Sequence, residues 1–568
     1  MGLLGVRPEE LRRTLVRLRA RDAALLEDVL SQASALATAE LAGGYESLAR
    51  WATRRDAVSG EDLRRVAQRW VSPRRAAIVE LLDPAYVEAT PLKQELGDAQ
   101  ALQGHLEGGV LAGVARLEPL RRIVPDGSWI SRLELAAWSD AVAHPGAGAQ
   151  GRLHRRAYEN GAALVVQECP GRRLATAQLW FRGGRLTELR NSSGATELLQ
   201  RMMVRQTAHR GALALTAELE ALGATLERVR EPDAFGFSIT VPAANLPYAL
   251  DVIYDVAVHP LLDHVEMDRM RRRMRAEILA DQADRYEQTL QELRAAVFGD
   301  HAYGLAPHGE ESVLKSLYPS RLAEIQAELC IPGNAVLSVV GPVDAEQVES
   351  LAGLYLRDWV DETAFYPIGA EDFFQSELLE APARLQEDVL EEETLPGEIA
   401  GVAVGFPVPG PRDPDRPAAR LLQAALEDPR TGLLEQLRRR GVEAPVRVTE
   451  LGGAQGTLLA AYAPARADEV EMVEEGLSAG RAAVEAAEMA SVRTYLAGKL
   501  VVTRGSSEAR AHHLALREIW GLPPETVAET AARLAATPDE AVRSLAERVY
   551  ACLLYTSPSP RDRTRSRM

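Results

Sequence analysis

The sequence predicts an α+β fold in which one order of strands and helices occurs twice. Residues 153–365 begin with two strand-like runs joined by Asn160-Gly161, a dipeptide that favours a tight hairpin turn. Residues 387–551 repeat the order of a strand, helices and two further strands, and end in long helices rich in Ala, Glu and Arg. A chain of 568 residues is also longer than a single domain usually is. We therefore expect two related α+β units with further segments around them.

Apolar runs and helical periodicity place the elements of the two units. In the first unit, strands are expected at 153–158, 162–168, 174–182, 225–229, 235–241 and 335–340, and helices at 194–207, 213–222, 246–258, 262–286 and 288–298. In the second unit, strands are expected at 399–406, 446–449 and 457–464, and helices at 418–426 and 431–440.

The segments outside the two units have a different character. Residues 1–84 are helical almost throughout and end in one short apolar strand at 76–82, which has no sheet of its own to join. We interpret 1–84 as the C-terminal end of a preceding unit whose beginning is missing. Residues 85–152, where apolar periodicity fades and Gly and Ala cluster, are interpreted as a linker, and 366–386 as a second, shorter linker.

The C-terminal residues 552–568 change composition abruptly and become rich in Ser, Pro and Arg. They resemble one reading frame of a sequencing-library adapter; the alternative is a genuine disordered tail. We therefore expect this segment to lie outside the fold and the natural chain to continue past residue 551.

The composition excludes several classes of partner. The chain has 65 Lys and Arg against 82 Asp and Glu, a formal net charge of −17 at pH 7, which argues against nucleic acid or an anionic membrane as a partner. No apolar run approaches the roughly 20 residues that span a bilayer. The three cysteines, Cys169, Cys330 and Cys552, are too widely spaced for a disulfide framework or a metal-binding knuckle. The compartment stays open: a soluble protein is expected, cytoplasmic or periplasmic if bacterial.

The helix expected after Gly194 carries the most informative residues. Glu197, Gln200 and Arg201 are spaced i, i+3 and i+4, so they share one helical face. The other face is apolar and should be buried, with Leu198, Leu199, Met202 and Met203.

The motifs around this helix resemble those of the pitrilysin/insulinase family of metallopeptidases. In chain order they are Asn160-Gly161, the stretch Trp180–Glu188, Gly194 with Thr207, Leu222-Gly223-Ala224, Pro260, Gly304, Gly309 and Pro332-Gly333-Asn334. The resemblance implies related halves, each an antiparallel sheet backed by helices, that close as a clamshell around peptides. Residues 153–365 resemble the half that carries the zinc motif, 387–551 its partner half, and 1–84 the end of an earlier partner half. The chain would then be the latter part of a two-module protein.

The resemblance also implies what the substituted helix has lost. The first zinc histidine of the family falls on Glu197, the catalytic glutamate on Gln200, the second zinc histidine on Arg201, and the third ligand, a glutamate, on Glu277. Arg201 stays protonated and cannot coordinate a metal ion, and Gln200 cannot accept a proton from water as a glutamate does. We therefore expect no catalytic residue, no metal ligand and no cofactor in this segment, with zinc only in an upstream module.

The substituted residues suggest a structural hypothesis. Arg201 would sit where zinc sits in the family and bridge Glu197 to Glu277, because two facing carboxylates without a countercharge would repel each other. The alternative is two unrelated surface residues and a solvated Glu277.

In the partner half, Arg438 matches the position of a substrate-contacting arginine of the family, although the expected tyrosine is replaced by Ala444 or Pro445. The alternative is that Arg438 is one of three consecutive arginines favoured at a helix C-terminus.

Three functions remain open at this point. The first is a non-catalytic module that helps to enclose a peptide or unfolded polypeptide, with zinc hydrolysis in an upstream catalytic module of the same chain. The second is a proteolytically silent structural or assembly protein of the same fold. The third is a peptidase with an unfamiliar site.

Overall fold

The computed structural model describes residues 6–70 apart from 26, 28 and 43, and residues 151–357, 359, 373–374, 390–391, 399–551 and 554–556. The expected strand at 76–82 and most of the two expected linkers lie outside these residues, and the segment boundaries predicted above stay predictions. No helix in the described ranges is both long and apolar enough to cross a membrane.

The described helices are α1 (Pro8–Leu25), α2 (Val29–Leu41), α3 (Ser47–Asp56), α4 (Gly60–Trp70), α5 (Ala195–Met203), α6 (Ala212–Leu222), α7 (Leu246–Val258), α8 (His264–Ala283), α9 (Arg285–Phe298), α10 (Glu311–Ser316), α11 (Pro319–Leu329), α12 (Ala345–Leu356), α13 (Arg416–Leu426), α14 (Leu433–Arg438), α15 (Val470–Ser478), α16 (Gly480–Ala486), α17 (Met489–Thr503), α18 (Ser507–Ile519), α19 (Val527–Ala536) and α20 (Asp539–Val549).

The described strands are β1 (Leu153–Ala157), β2 (Ala163–Glu168), β3 (Leu174–Arg182), β4 (Thr225–Glu231), β5 (Ala234–Pro242), β6 (Ala335–Gly341), β7 (Leu390–Glu391), β8 (Ile399–Val408), β9 (Arg447–Gly453), β10 (Gly456–Arg466) and β11 (Leu554–Thr556).

The elements group into two compact units. One contains most of α1 and α2 together with α3, α4 and α6. Within it the Arg55 side chain is 8% exposed and pairs with Asp22 and, at 2.8 Å, with Asp56. Little apolar surface is buried between these helices, so this network of ion pairs helps to hold them together. The other unit contains both sheets and the remaining helices.

The two sheets confirm the expected α+β fold. Strands β1 to β6 form a six-stranded sheet in the order β1-β2-β6-β3-β5-β4, and β7 to β11 form a five-stranded sheet in the order β7-β11-β8-β10-β9. Both are mainly antiparallel, as expected, but β2 pairs with β6 in parallel and β11 pairs with β7 in parallel. The sheets are therefore mixed rather than purely antiparallel.

Several element bounds differ from the sequence predictions; for example, the helix expected over 194–207 ends at Met203. Two further differences stand out. The helix expected over 262–286 ends at Ala283, because the Asp284 carboxylate caps a new helix by accepting from the backbone N–H of Tyr286 at 2.8 Å and of Glu287 at 3.2 Å. Leu554–Thr556, inside the segment expected to lie outside the fold, pairs antiparallel with β8. An unpaired strand edge offers backbone hydrogen-bonding groups to any extended segment that reaches it.

Each sheet is covered on one face by a helix from the other part of the chain. The six-stranded sheet receives α18, whose Ala515 and Ile519 pack with Trp180 and Val336. The five-stranded sheet receives α9, whose Leu290 packs in the same apolar cluster as strand residues of β8 and β10. This exchange ties 153–357 and 399–551 into one packed body.

The exchange requires a close approach between α9 and β8. A Cβ atom added at Gly401 would lie 2.1 Å from Thr289 Oγ1 and 3.1 Å from the Tyr462 ring. Thr289 is fully buried, so the helix has no free space into which to move.

We predict that Gly401→Ala lowers the free energy of unfolding by about 1–3 kcal/mol, because the added methyl group overpacks this contact. Chemical denaturation with a spectroscopic probe measures the change. Gly498→Ala is the matched control: Gly498 lies within α17 and its added Cβ would meet nothing within 4 Å, so this substitution should be neutral or stabilising by up to about 1 kcal/mol. An unchanged stability for Gly401→Ala would contradict the proposed tight contact.

Candidate functional site

Helix α5 begins at a position that only glycine suits. Gly194 has φ = 84°, and an added Cβ would lie 2.9 Å from Gly309 Cα and 2.9 Å from the His308 carbonyl oxygen. The Glu188 carboxylate caps the helix by accepting from the backbone N–H of Gly194 at 2.9 Å and of Thr196 at 2.8 Å. Burial raises the pKa of Glu188 in spite of these hydrogen bonds. The capped start places α5 directly against the segment that carries His308.

The polar face of α5 is buried as well as its apolar face. The apolar face packs into the core through Leu198, Leu199, Met202 and Met203, as the periodicity predicted. On the polar face, Gln200 is 1% exposed and its amide donates to the carbonyl oxygens of Val229 at 2.8 Å and Gly236 at 2.6 Å. The side chain thus connects α5 to the backbone of β4 and β5.

Arg201 joins the two carboxylates that were predicted to surround it. Its Nε donates to Glu197 Oε1 at 2.5 Å, its Nη1 donates to Glu277 Oε1 at 2.9 Å, and its Nη2 donates to the other oxygen of Glu277. The side chains of Arg201 and Glu197 are 8% and 5% exposed. The predicted bridge between α5 and α8 is therefore confirmed. The alternative of two unrelated surface residues is wrong, although the Glu277 side chain is 42% exposed.

Two arginines that the sequence analysis did not single out complete the charge balance around Glu197. Arg228 and Arg230 are two residues apart in β4, so both side chains point to the same side of the strand. Arg228 Nη1 donates to Glu197 Oε1 at 2.8 Å and Arg230 Nη1 to Glu197 Oε2 at 2.6 Å. Burial alone would raise the pKa of Glu197, but the charges of Arg230, Arg228 and Arg201 outweigh it, so the pKa lies below its ordinary value.

His308 lies next to the bridge. Its Nδ1–H donates to Asp281 Oδ2 at 2.6 Å, and its Nε2 accepts from Arg230 Nη2 at 3.2 Å. The same nitrogen is 3.9 Å from Glu277 Oε2. The hydrogen bond from Arg201 is the main reason that the pKa of Glu277 lies below its ordinary value.

The residues at the expected zinc-ligand positions do not fit zinc. A zinc ligand must present a free lone pair. Glu197 and Glu277 have suitable oxygens, but Arg201 lies between them as a hydrogen-bond donor to both, and a guanidinium has no acceptor atom. The space that a metal ion would need between the carboxylates contains a permanent cation, so these residues support no chemical step through zinc.

A cavity of about 180 Å³ lies beside this cluster, lined among others by Arg185, Glu188, Glu197, Arg230 and Phe235. Burial and the charge of a nearby arginine lower the pKa of Arg185 to about 10. The cavity therefore has charged walls, with an aromatic ring as part of its lining.

Arg438 lies apart from this cluster in the described contacts. It is the last residue of α14, and its side chain is exposed. Ala444, at the position of the expected tyrosine, is buried, whereas Pro445 is exposed. A substrate contact by Arg438 stays a prediction.

Three members of the site escaped the sequence analysis: Arg228, Arg230 and His308. Arg228 lies in the strand expected at 225–229, but Arg230 lies one residue beyond it, and the observed strand continues to Glu231. The spacing of two residues was the only available signal, and it does not reveal which helix the strand faces. His308 reaches the site through the contact between Gly194 and Gly309, which depends on tertiary packing.

We predict that Arg201→Met lowers the free energy of unfolding by about 1–3 kcal/mol, because two carboxylates lose a shared partner while Glu197 keeps Arg228 and Arg230. The matched control is Arg205→Met near the end of α5, whose partner is Glu266 at 2.6 Å and whose side chain is 40% exposed; it should cost less than about 1 kcal/mol. Equal losses in denaturation experiments would contradict the proposed importance of the bridge.

The lowered pKa of Glu277 predicts a pH dependence. A carboxyl group with a lowered pKa in the folded state stabilises the fold above its unfolded pKa, about 4.3, and this stabilisation is lost as the pH falls through the folded pKa. The free energy of unfolding should therefore fall more steeply in the wild type than in Glu277→Gln as the pH is lowered from about 5 to about 2. Parallel curves from denaturation at a series of pH values would show that Glu277 does not carry this effect.

Comparisons with known proteins agree with this fold. Residues 164–307 match the family model described as Insulinase (Peptidase family M16), and residues 318–477 match the model described as Peptidase M16 inactive domain. A crystal structure of a peptidase M16 inactive domain from Pseudomonas fluorescens superposes with a TM-score of 0.64 at 17% identity, covering 73% of this chain and 100% of that one.

Two curated relatives match with lower coverage. An uncharacterized zinc protease of Streptomyces coelicolor is 24% identical over 198 residues, 35% of this chain and 43% of the relative. The mitochondrial cytochrome b-c1 complex subunit 1 of Caenorhabditis elegans is 29% identical over 200 residues, 35% of this chain and 42% of the relative. The chain thus spans less than half the length of these two relatives. The two matching models and the two-sheet fold lead to one conclusion: the chain belongs to the insulinase family, peptidase family M16.

Proposed function

We propose that this chain is a non-catalytic module of an insulinase-type zinc metallopeptidase, which helps to enclose peptides while zinc hydrolysis takes place in an upstream module. The observation that carries the proposal is the Arg201 guanidinium, hydrogen-bonded to both Glu197 and Glu277. A cation without a lone pair supports the same two carboxylates that a zinc ion would, but it neither binds nor activates a water molecule.

The general-base position supports the same proposal. A general base must accept a proton from water, and an amide does not do so at ordinary pH. Both described hydrogen bonds of the Gln200 amide nitrogen go to backbone carbonyl oxygens. Its role is to join α5 to the sheet.

A second cavity offers a place for an enclosed peptide. It measures about 680 Å³ and lies among α13, α17, α18 and α19, with five arginines in its lining: Arg416, Arg420, Arg504, Arg517 and Arg533. A cavity of this size accommodates several residues of an extended peptide. Its arginines favour acidic side chains or a terminal carboxylate.

The charges in this second cavity are not fully paired. Arg517 and Arg533 share Glu525 at 2.6 and 2.8 Å. The described hydrogen bonds of Arg504 go to neutral acceptors, His513 Nε2 at 3.3 Å and Thr530 Oγ1 at 3.4 Å. Burial, together with the charges of neighbouring arginines, lowers the pKa of Arg504 to about 10, so an anionic ligand would gain a strong partner here.

A structural or assembly role is the second candidate. It is favoured by one observation, the 29% identity over 200 residues with a subunit of the cytochrome b-c1 complex. Isolation of the natural protein in a stable multisubunit assembly, without measurable peptide binding, would support this role over the first.

We predict that the chain binds acidic peptides but does not cleave them, with or without added zinc. Fluorescence anisotropy of a labelled acidic peptide measures binding, and mass spectrometry of the incubated peptide measures cleavage. Arg504→Ala should weaken binding about tenfold, because a buried charge pair is lost. Arg481→Ala, an exposed arginine whose side chain is 58% accessible and pairs with Glu485, should leave binding unchanged.

Chelator-sensitive cleavage by this chain would overturn the non-catalytic assignment. Equal peptide affinities for Arg504→Ala and Arg481→Ala would reject the cavity as the peptide site.

A further inference from the structure

Two histidines that are distant in the sequence lie together next to α7. The segment after α5 meets the end of α7 through an isolated antiparallel bridge between Thr207 and Pro260. The backbone N–H of Ala208 donates to the His259 carbonyl oxygen at 2.8 Å. These contacts place the imidazole rings of His209 and His259 4.8 Å apart in an edge-to-face arrangement.

Asp255 presents one carboxylate oxygen to both rings. Its side chain is 5% exposed, and Oδ1 is 2.6 Å from His209 Nδ1 and 3.2 Å from His259 Nδ1. Asp255 and His259 are spaced i and i+4 at the end of α7, so they project from the same side of the helix. All three ligand atoms lie within 4.8 Å of one another.

The other oxygen of Asp255 is held in place. Oδ2 accepts from Thr207 Oγ1 at 2.6 Å and from Arg210 Nη1 at 2.6 Å. Arg210 also pairs with Asp251, so its charge is shared with a second carboxylate. Hydrogen bonds of this kind orient a carboxylate, and here they direct its other oxygen, Oδ1, at the two imidazole rings.

One nitrogen of this cluster lacks a hydrogen bond. His259 Nδ1 is buried and has no hydrogen-bond partner among the described residues, although Asp255 Oδ1 is close to it. A buried polar atom without a partner is costly and requires an explanation. A metal ion shared with Asp255 would use the lone pair of this nitrogen.

We propose that His209, Asp255 and His259 form a binding site for a divalent transition-metal ion, with zinc as the best fit. Two imidazoles and one carboxylate are a donor set that zinc accepts, with bonds of about 2.0–2.2 Å that place ligand atoms roughly 3–3.5 Å apart. His259 and Asp255 already have this spacing. The His209 side chain is 61% exposed, so its ring has room to turn toward the spacing that a shared ion requires.

The site is separate from the zinc-motif positions and departs from the expectation that this segment holds no metal. Glu197, Arg201 and Glu277 contribute nothing to it. With Asp251, Arg210 and Asp255 charged, the immediate surroundings carry a net charge of about −1 before binding, which favours a cation. Three protein ligands leave a fourth position for water or a ligand from a partner.

The test uses the full chain without an affinity tag, freed of metal by chelation. Isothermal titration with Zn²⁺ should give one site at these residues, and Co²⁺ should develop a visible absorption band typical of nitrogen and oxygen ligands. His209→Ala and His259→Ala should each weaken binding by at least about tenfold, and the double variant should remove the site.

His264→Ala is the matched control, because His264 is an exposed histidine at the first position of α8. It should bind as the wild type does. Thermal unfolding without metal checks that each variant is folded, and Zn²⁺ should raise the Tm of the wild type but not of the double variant. Unchanged Zn²⁺ affinity in the double variant, or no saturable binding by the wild type below about 100 μM, which corresponds to roughly −5.5 kcal/mol, would overturn the proposal.

Discussion

A carboxylate as buried as that of Glu197 is stable only if positive charge lies directly against it. Three arginines supply this charge, one from α5 and two from β4. Because Arg201 also holds Glu277 on α8, the requirement to neutralise one carboxylate fixes the positions of three elements. The guanidinium therefore holds together the two carboxylates at the expected zinc-ligand positions. It does so through charge and hydrogen bonds alone, because it has no lone pair to offer.

The parts of the site that could be predicted from the sequence are those set by local geometry. The helical period alone places Glu197, Gln200 and Arg201 on one face, and the i, i+4 spacing brings Glu197 and Arg201 within reach of each other. The role of Glu277 was predicted from the family resemblance, since no sequence spacing connects this residue with α5. The same limit applies to the fold: apolar runs locate most strands, but the parallel pairing of β2 with β6 depends on the path of the whole chain.

Residues brought together by tertiary contacts were beyond sequence reasoning. His209 and His259 are fifty positions apart, so a search for histidines at helical spacing does not find them. The backbone bridge between Thr207 and Pro260 brings them together. The break between α8 and α9 was predicted after residue 286, whereas α8 ends at Ala283, and the misplacement has a different reason. Apolar and charged periodicity continues across it, and only the capping carboxylate of Asp284 marks the new start.

The exchange of helices between the sheets has a consequence for synthesis on the ribosome. The six-stranded sheet is complete in the chain by Gly341, yet the helix that covers one of its faces, Ser507–Ile519, emerges more than 150 residues later. At about 5–20 residues per second, the nascent sheet exposes that apolar face for roughly ten seconds or more. During that interval the nascent protein is a candidate for chaperone binding, and a ribosome that stalls between the two sheets would release a product with an uncovered, aggregation-prone surface.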